Sequence, residues 1–184
     1  IKNLRRRIEC GSNLKLFLAT YFPQSTGLKP FSADHERVIA RKEECVLRGG
    51  RLIEAVYRGF AKTTISENTA IWAIVYGHRK FVPIFGADEN AASGNIGSIK
   101  LELSENDLLY EDFPEICHAI RALEGKPQRC ASQVHVPGNV EGRKSSSGEG
   151  ELTHIGWTAD TIILPTIKVP KGWGENEDIE SDAP

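Results

Sequence analysis

Ala55-Val56-Tyr57-Arg58-Gly59-Phe60-Ala61-Lys62-Thr63-Thr64 is the stretch around which the rest of the chain is read. An apolar run, Arg51 to Val56, precedes it and reads as a buried strand, and an apolar-periodic run, Ile65 to Tyr76, follows it and reads as a helix. Strand, turn of small residues, Lys-Thr, helix is the context that a phosphate-binding loop requires. The turn offers successive backbone N–H groups and the helix start adds partial positive charge. Lys62 supplies a mobile cation for the β- and γ-phosphates, and the Thr63 hydroxyl suits a Mg²⁺ ligand. The loop is irregular: when G-x-x-x-x-G-K-[ST] is aligned on Lys62-Thr63, Val56 and Ala61 stand at the two glycine positions and Gly59 lies inside. The plain alternative is a lysine and two threonines opening a helix, with threonine as a cap.

Upstream, Ser12 reads as the cap of a helix over 13–21, with Leu14, Phe17, Leu18 and Tyr21 on one face and Pro23 ending it. Ser32 reads as the cap of the next helix, with Asp34 and Glu36 in its first turn and Gly49-Gly50 closing it. Downstream, Lys80 to Phe85 reads as a second strand, at an edge or irregular because Pro83 removes a ladder donor. A helix is expected over 89–103, a polar turn-like stretch over 106–111, and a short helix from Pro114 to near Leu123. Residues 137–151, rich in Gly, Ser, Lys and Glu, read as a mobile loop, and 153–158 and 161–165 as two short strands. Alternation of helix and strand through the centre argues for an α/β fold with a parallel sheet, whose ligands lie at the carboxyl ends of the strands.

The chain has 184 residues and a net charge of −2, so no global basic field argues for nucleic acid. Lys2, Arg5, Arg6 and Arg7 form a basic cluster and Glu175 to Asp182 an acidic tail, both expected to be solvated. No apolar run approaches the ~20 residues of a membrane span. Cys10, Cys45, Cys117 and Cys130 make no C-x-x-C pair and suit the reduced thiols of a cytosolic protein, Cys45 on an apolar helix face in the core. Cys117, His118, Cys130 and His135 could surround a Zn²⁺, but their spacing matches no common ligand arrangement. The chain begins with Ile1 and contains no Met, which reads as a fragment, a processed chain or a trimmed one.

An NTPase also needs an apolar strand ending in an acidic residue, to hold Mg²⁺ and activate water. Asp88 and Glu89 follow the Phe81–Phe85 run, two residues late and after a Gly, and serve equally as a helix start. Asp160 precedes its apolar run, the reverse of the required polarity. The phosphate loop therefore lacks a convincing acidic partner, and truncation before that motif is the simplest account.

Three segments carry a resemblance: Thr20-Tyr21-Phe22-Pro23, Phe31-Ser32-Ala33-Asp34-His35-Glu36-Arg37-Val38-Ile39, and Arg58-Gly59-Phe60-Ala61-Lys62-Thr63-Thr64. Together with Tyr76 to Val82, Gly86 to Glu89, Ile99-Lys100, Asp112 to Glu115 and Thr153 to Thr158, they resemble the N-terminal ATPase region of phage-type terminase large subunits, over about residues 5–165. The resemblance implies an ATP-driven motor that moves double-stranded DNA into a capsid, with portal and small terminase subunit as partners, a homo-oligomeric ring in the full-length protein, and a location in the host cytoplasm. It implies ATP and Mg²⁺ as ligands, Lys62 as the phosphate-binding lysine, Thr63 as the metal ligand and Arg58 as a loop arginine at the γ-phosphate. Gly59, Phe60, Ala61 and Thr64 complete the loop, and Phe31 and His35 fall where the family approaches adenine, with helix capping and packing as their alternative role. Ala61 where many members have Gly, Pro83 in a strand, and the missing acidic, coupling and nuclease motifs are departures.

The expectation is thus an incomplete P-loop NTPase-like parallel sheet flanked by helices. Residues 1–30 form an N-terminal helical extension, 31–170 a partial ATPase domain and 171–184 a disordered acidic tail. ATP binding is expected, with hydrolysis absent or very slow in this chain alone. A complete small P-loop nucleotide kinase or ATPase using Asp88 or Glu89, and a non-catalytic α/β remnant, are the alternatives.

Overall fold

Among the described residues of this protein, five side chains of Asn, Ser or Asp start helices. The computed structural model describes residues 1–26, 30–121, 123, 133–135, 151–153 and 155–165. Asn3 caps α1 (Leu4–Gly11), Asn13 caps α2 (Leu14–Tyr21), and the four-residue α3 (Pro23–Thr26) follows. Ser32 caps α4 (Ala33–Arg48), which Gly49 ends with φ 85°, a left-handed value that glycine adopts without Cβ strain. After α5 (Lys62–Val75), Asp88 caps α6 (Glu89–Glu105) and Asn106 caps α7 (Asp107–Asp112); α8 (Pro114–Arg121) begins with proline at a position that needs no N–H donor. The cap of α2 is Asn13 rather than Ser12, and α7 replaces the turn expected over 106–111.

The helices meet around one apolar core. Phe17 of α2 is its hub, with ring centroids 4.9 Å from Tyr21, 5.5 Å from Phe22 and 5.9 Å from Tyr76. Ile65, Ile71 and Trp72 of α5, Leu103 of α6, Leu109 of α7 and Cys117 of α8 are buried against it. The N-terminal basic cluster is not merely solvated. α1 is fastened to α7 and α8: Arg6 Nε lies 2.6 Å from Asp112 Oδ2, Arg7 Nη2 lies 2.5 Å from Glu115 Oε1, and Lys2 Nζ lies 2.5 Å from Glu111 Oε1. Tyr76 Oη, Trp72 Nε1 and His78 Nε2 donate to the carbonyls of Arg7, Cys10 and Gly11 at 2.7, 2.9 and 2.9 Å, so side chains of α5 and the turn after it tie down the second half of α1.

The expected parallel sheet does not form among the described residues, and the α/β, P-loop-type architecture is corrected to a mainly helical one. The strands there are β1 (Gln133–His135), antiparallel to β2 (Glu151–Thr153), and β3 (Gly156–Trp157), antiparallel to β4 (Ile162–Ile163). Arg51–Val56 and Lys80–Phe85 alternate in exposure as strands do, with Leu52, Glu54, Val56, Val82 and Ile84 facing inward. Neither segment makes a backbone–backbone ladder among the described residues. Their outward side chains stand in solvent: Ile53 is 94 %, Phe81 82 % and Phe85 88 % exposed. Pairing requires a neighbour at ladder distance, which apolar alternation does not supply. The mobile loop expected over 137–151 and the acidic tail over 171–184 fall almost wholly outside the described residues. No described helix is long and apolar enough to cross a membrane.

Candidate functional site

The loop between Val56 and α5 is built from a turn and an unusual helix start. Phe60 N–H donates to the Tyr57 carbonyl at 3.3 Å, closing a four-residue turn. Its third residue, Gly59, has φ 91°, the sign a type II turn requires at that position. Ala61 then occupies the N-cap of α5 at φ 59°, ψ 27°, in the left-handed region, where a Cβ costs about 1–2 kcal/mol. Ala61→Gly is expected to raise the unfolding free energy by up to about 1 kcal/mol, the strain relief exceeding the entropy glycine adds to the unfolded chain; urea denaturation of the two proteins measures it.

Ala61 provides no side-chain cap, and no acidic residue lies in the first turn of α5. The first in-helix bond there is Ile65 N–H to the Ala61 carbonyl at 2.9 Å. The N–H groups of Lys62, Thr63 and Thr64 are thus left without a backbone acceptor among the described residues. Arg58, Lys62 and Thr63 are exposed, and neither cation has an ion-pair partner among the described residues. The structure brings Arg58, Gly59, Ala61, Lys62, Thr63 and Thr64 together on one open turn, with Phe60 turned inward at 1 % exposure.

Two contacts hold this loop to the body. Lys42 of α4 lies 2.6 Å from Glu54 Oε1 and donates to Ser66 Oγ at 3.0 Å, and Ser66 Oγ donates to the Lys62 carbonyl at 2.9 Å. That chain links α4, the segment before the loop and the first turn of α5, and it neutralises Lys42. Only the charge of Glu54 inside an apolar run could have signalled it from sequence. The second contact is His35, whose ring stacks on Phe60 at 4.1 Å and 7°. Phe31 lies further off, 6.1 Å from the His35 ring and half-buried. In this structure His35 packs on the loop itself.

Asp88 is committed elsewhere: its Oδ1 accepts the Ala91 N–H at 2.7 Å as the cap of α6. Glu89 lines an open cleft of about 1140 Å³ between Lys80–Ile84, α6 and Thr158–Leu164, and no residue from 58 to 64 lines that cleft. The walls of this cleft are mainly aliphatic side chains such as Ile74, Ile96, Ile99 and Ile162. Cys45 is half-buried beside Lys42 and Leu52 rather than in the core. Cys117 is fully buried, where loss of solvent pushes its thiol up to about 12. Of the other residues weighed for Zn²⁺, His118 lies beside Tyr110, Cys130 falls outside the described residues, and of His135 only the strand is described.

The group implied for this loop by the resemblance is Mg²⁺-bound triphosphate, and the donor set fits its phosphates: three N–H groups without backbone acceptors and two cations without ion-pair partners among the described residues, and a hydroxyl. For the metal, the loop offers the Thr63 hydroxyl and no carboxylate. No family model, curated protein or solved structure matches the chain.

Proposed function

We propose that this chain binds the phosphates of ATP with Mg²⁺ at the loop Arg58–Thr64. The observation that carries the reading is the uncapped, acid-free start of α5, flanked by two cations without ion-pair partners among the described residues. Such a helix start concentrates N–H donors and partial positive charge where an anion can meet both. Lys62 would supply charge for the terminal phosphates and Arg58 for the γ-phosphate, and Thr63 would offer its hydroxyl as a metal ligand. Mg²⁺ bound with the nucleotide supplies neutralisation of phosphate charge. The resemblance to terminase ATPase regions supports ATP as the nucleotide and DNA packaging as the process, with double-stranded DNA, portal and small terminase subunit as partners. Asp88 is engaged as the cap of α6 and Glu89 lines a cleft that no loop residue lines, so nothing among the described residues favours the kinase alternative. Phosphate release by this chain alone is expected to be absent or very slow.

Calorimetric titration with Mg-ATP tests the reading. The native chain is expected to bind, and Lys62→Ala to weaken binding about 10- to 100-fold, as loss of a charge-assisted bond would. Absence of heat from the folded native chain, with an unchanged melting temperature at millimolar Mg-ATP, would remove the proposal.

A further inference from the structure

We propose that His35 is a positioning residue of this loop, acting on the phosphates through Phe60 rather than touching the adenine; the inference rests on the phosphate-binding reading. His35 Nε2 lies 3.2 Å from the Phe60 carbonyl oxygen, and Nδ1 lies 2.7 Å from Ser32 Oγ. A carbonyl oxygen only accepts, so Nε2 carries the proton and donates. Nδ1 then accepts from the Ser32 hydroxyl, whose oxygen also receives the His35 N–H at 3.4 Å as the cap of α4. Ser32, His35 and Phe60 therefore form one directed chain from the start of α4 to the peptide that joins Phe60 to Ala61.

That peptide is where the loop needs support. Ala61 sits at φ 59°, a conformation that persists only when its surroundings over-determine it. The Phe60 ring is held on two sides, stacked by His35 at 4.1 Å and met edge-on by Tyr57 at 5.6 Å and 89°. With the ring buried and the carbonyl bonded to His35, the following N–H groups of Lys62, Thr63 and Thr64 are left towards solvent. One face of the His35 ring is covered by Phe60, and both ring nitrogens are engaged by the Phe60 carbonyl and Ser32 Oγ.

An adenine contact and a loop support predict different outcomes. Mg-ATP and inorganic triphosphate with Mg²⁺ are titrated calorimetrically into the native chain, His35→Ala and His35→Gln. Loss of one stack and one hydrogen bond is expected to weaken both ligands by the same factor, about ten-fold, in His35→Ala. His35→Gln, whose amide N–H can reach the Phe60 carbonyl, is expected to recover part of that loss for both. Amide hydrogen exchange in the nucleotide-free protein is expected to quicken at Phe60–Thr64 in His35→Ala while the interior of α2 is unchanged. Weakening of Mg-ATP alone, with triphosphate unaffected, overturns the proposal in favour of a base contact. Native affinity in His35→Ala beside lost affinity in Lys62→Ala overturns it and leaves the phosphate-binding reading standing. Failure of the native chain to bind either ligand removes that reading and the role of His35 with it, whatever hydrogen exchange shows.

Discussion

Asp112→Ala is expected to lower the unfolding free energy by about 3–5 kcal/mol, a large share of what a domain of this size has. The Asp112 side chain is fully buried at the end of α7. It accepts from Arg6 Nε at 2.6 Å, from the Tyr21 hydroxyl at 2.6 Å and from the Asn3 N–H at 3.1 Å. Alanine leaves the Arg6 Nε–H and a buried phenol without their acceptor and removes one of the ties between α1 and the body. Burial alone would push the Asp112 carboxyl up, but the hydrogen bonds from Arg6 and Tyr21 outweigh it and hold the group below the ordinary aspartate range. A carboxyl depressed in the folded state gives stability that is complete above its unfolded value of about 3.9 and is lost as pH falls through the folded value. Urea midpoints of the native chain should therefore decline below about pH 4, and those of Asp112→Ala should decline less steeply. Equal slopes for the two proteins would show that this carboxylate does not carry the acid sensitivity.

Trp72→Ala is expected to cost about 3–5 kcal/mol by the same measurement. Trp72 is fully buried in α5, and its Nε1–H is the donor that satisfies the Cys10 carbonyl at 2.9 Å. Alanine opens a cavity between α5 and the α1–α2 pair and removes the side-chain donor to that carbonyl, which keeps the Asn13 N–H at 3.4 Å. Trp72→Phe keeps most of the apolar volume and loses the hydrogen bond, so about 1–2 kcal/mol is expected. A loss in Trp72→Ala below that of Trp72→Phe would contradict the packing account.

The helices α2, α4, α5, α6 and α8 were legible because their signals are local, whereas α7 read as a turn and the basic start of α1 as a solvated terminus. Ser32, Asp34 and Gly49 bound α4 as capping chemistry dictates, and Asp88 starts α6 with a side-chain bond within three residues. The sheet was not, because a strand is defined by a neighbour. Arg51–Val56 and Lys80–Phe85 have the alternation of strands, yet sequence alternation says nothing of what lies at ladder distance, and both remain unpaired among the described residues. The Arg6–Asp112 pair joins residues 106 apart, so Lys2 and Arg5–Arg7 read as a solvated terminus although Arg6 and Arg7 bind buried or half-buried acids. At the loop, the Lys-Thr pair and the internal glycine were visible. The left-handed Ala61 and the stack of His35 on Phe60 were not, because each depends on tertiary surroundings that spacing does not encode.

Amide NMR of the ¹⁵N-labelled chain during titration with Mg-ATP tests the central claim most directly, because it reads the N–H groups that the claim invokes. The largest shifts are expected at Gly59, Lys62, Thr63 and Thr64, with smaller ones at His35 and Phe60. No shift at these amides, or the largest shifts along Lys80–Ile84 and α6 where the open cleft lies, would contradict it.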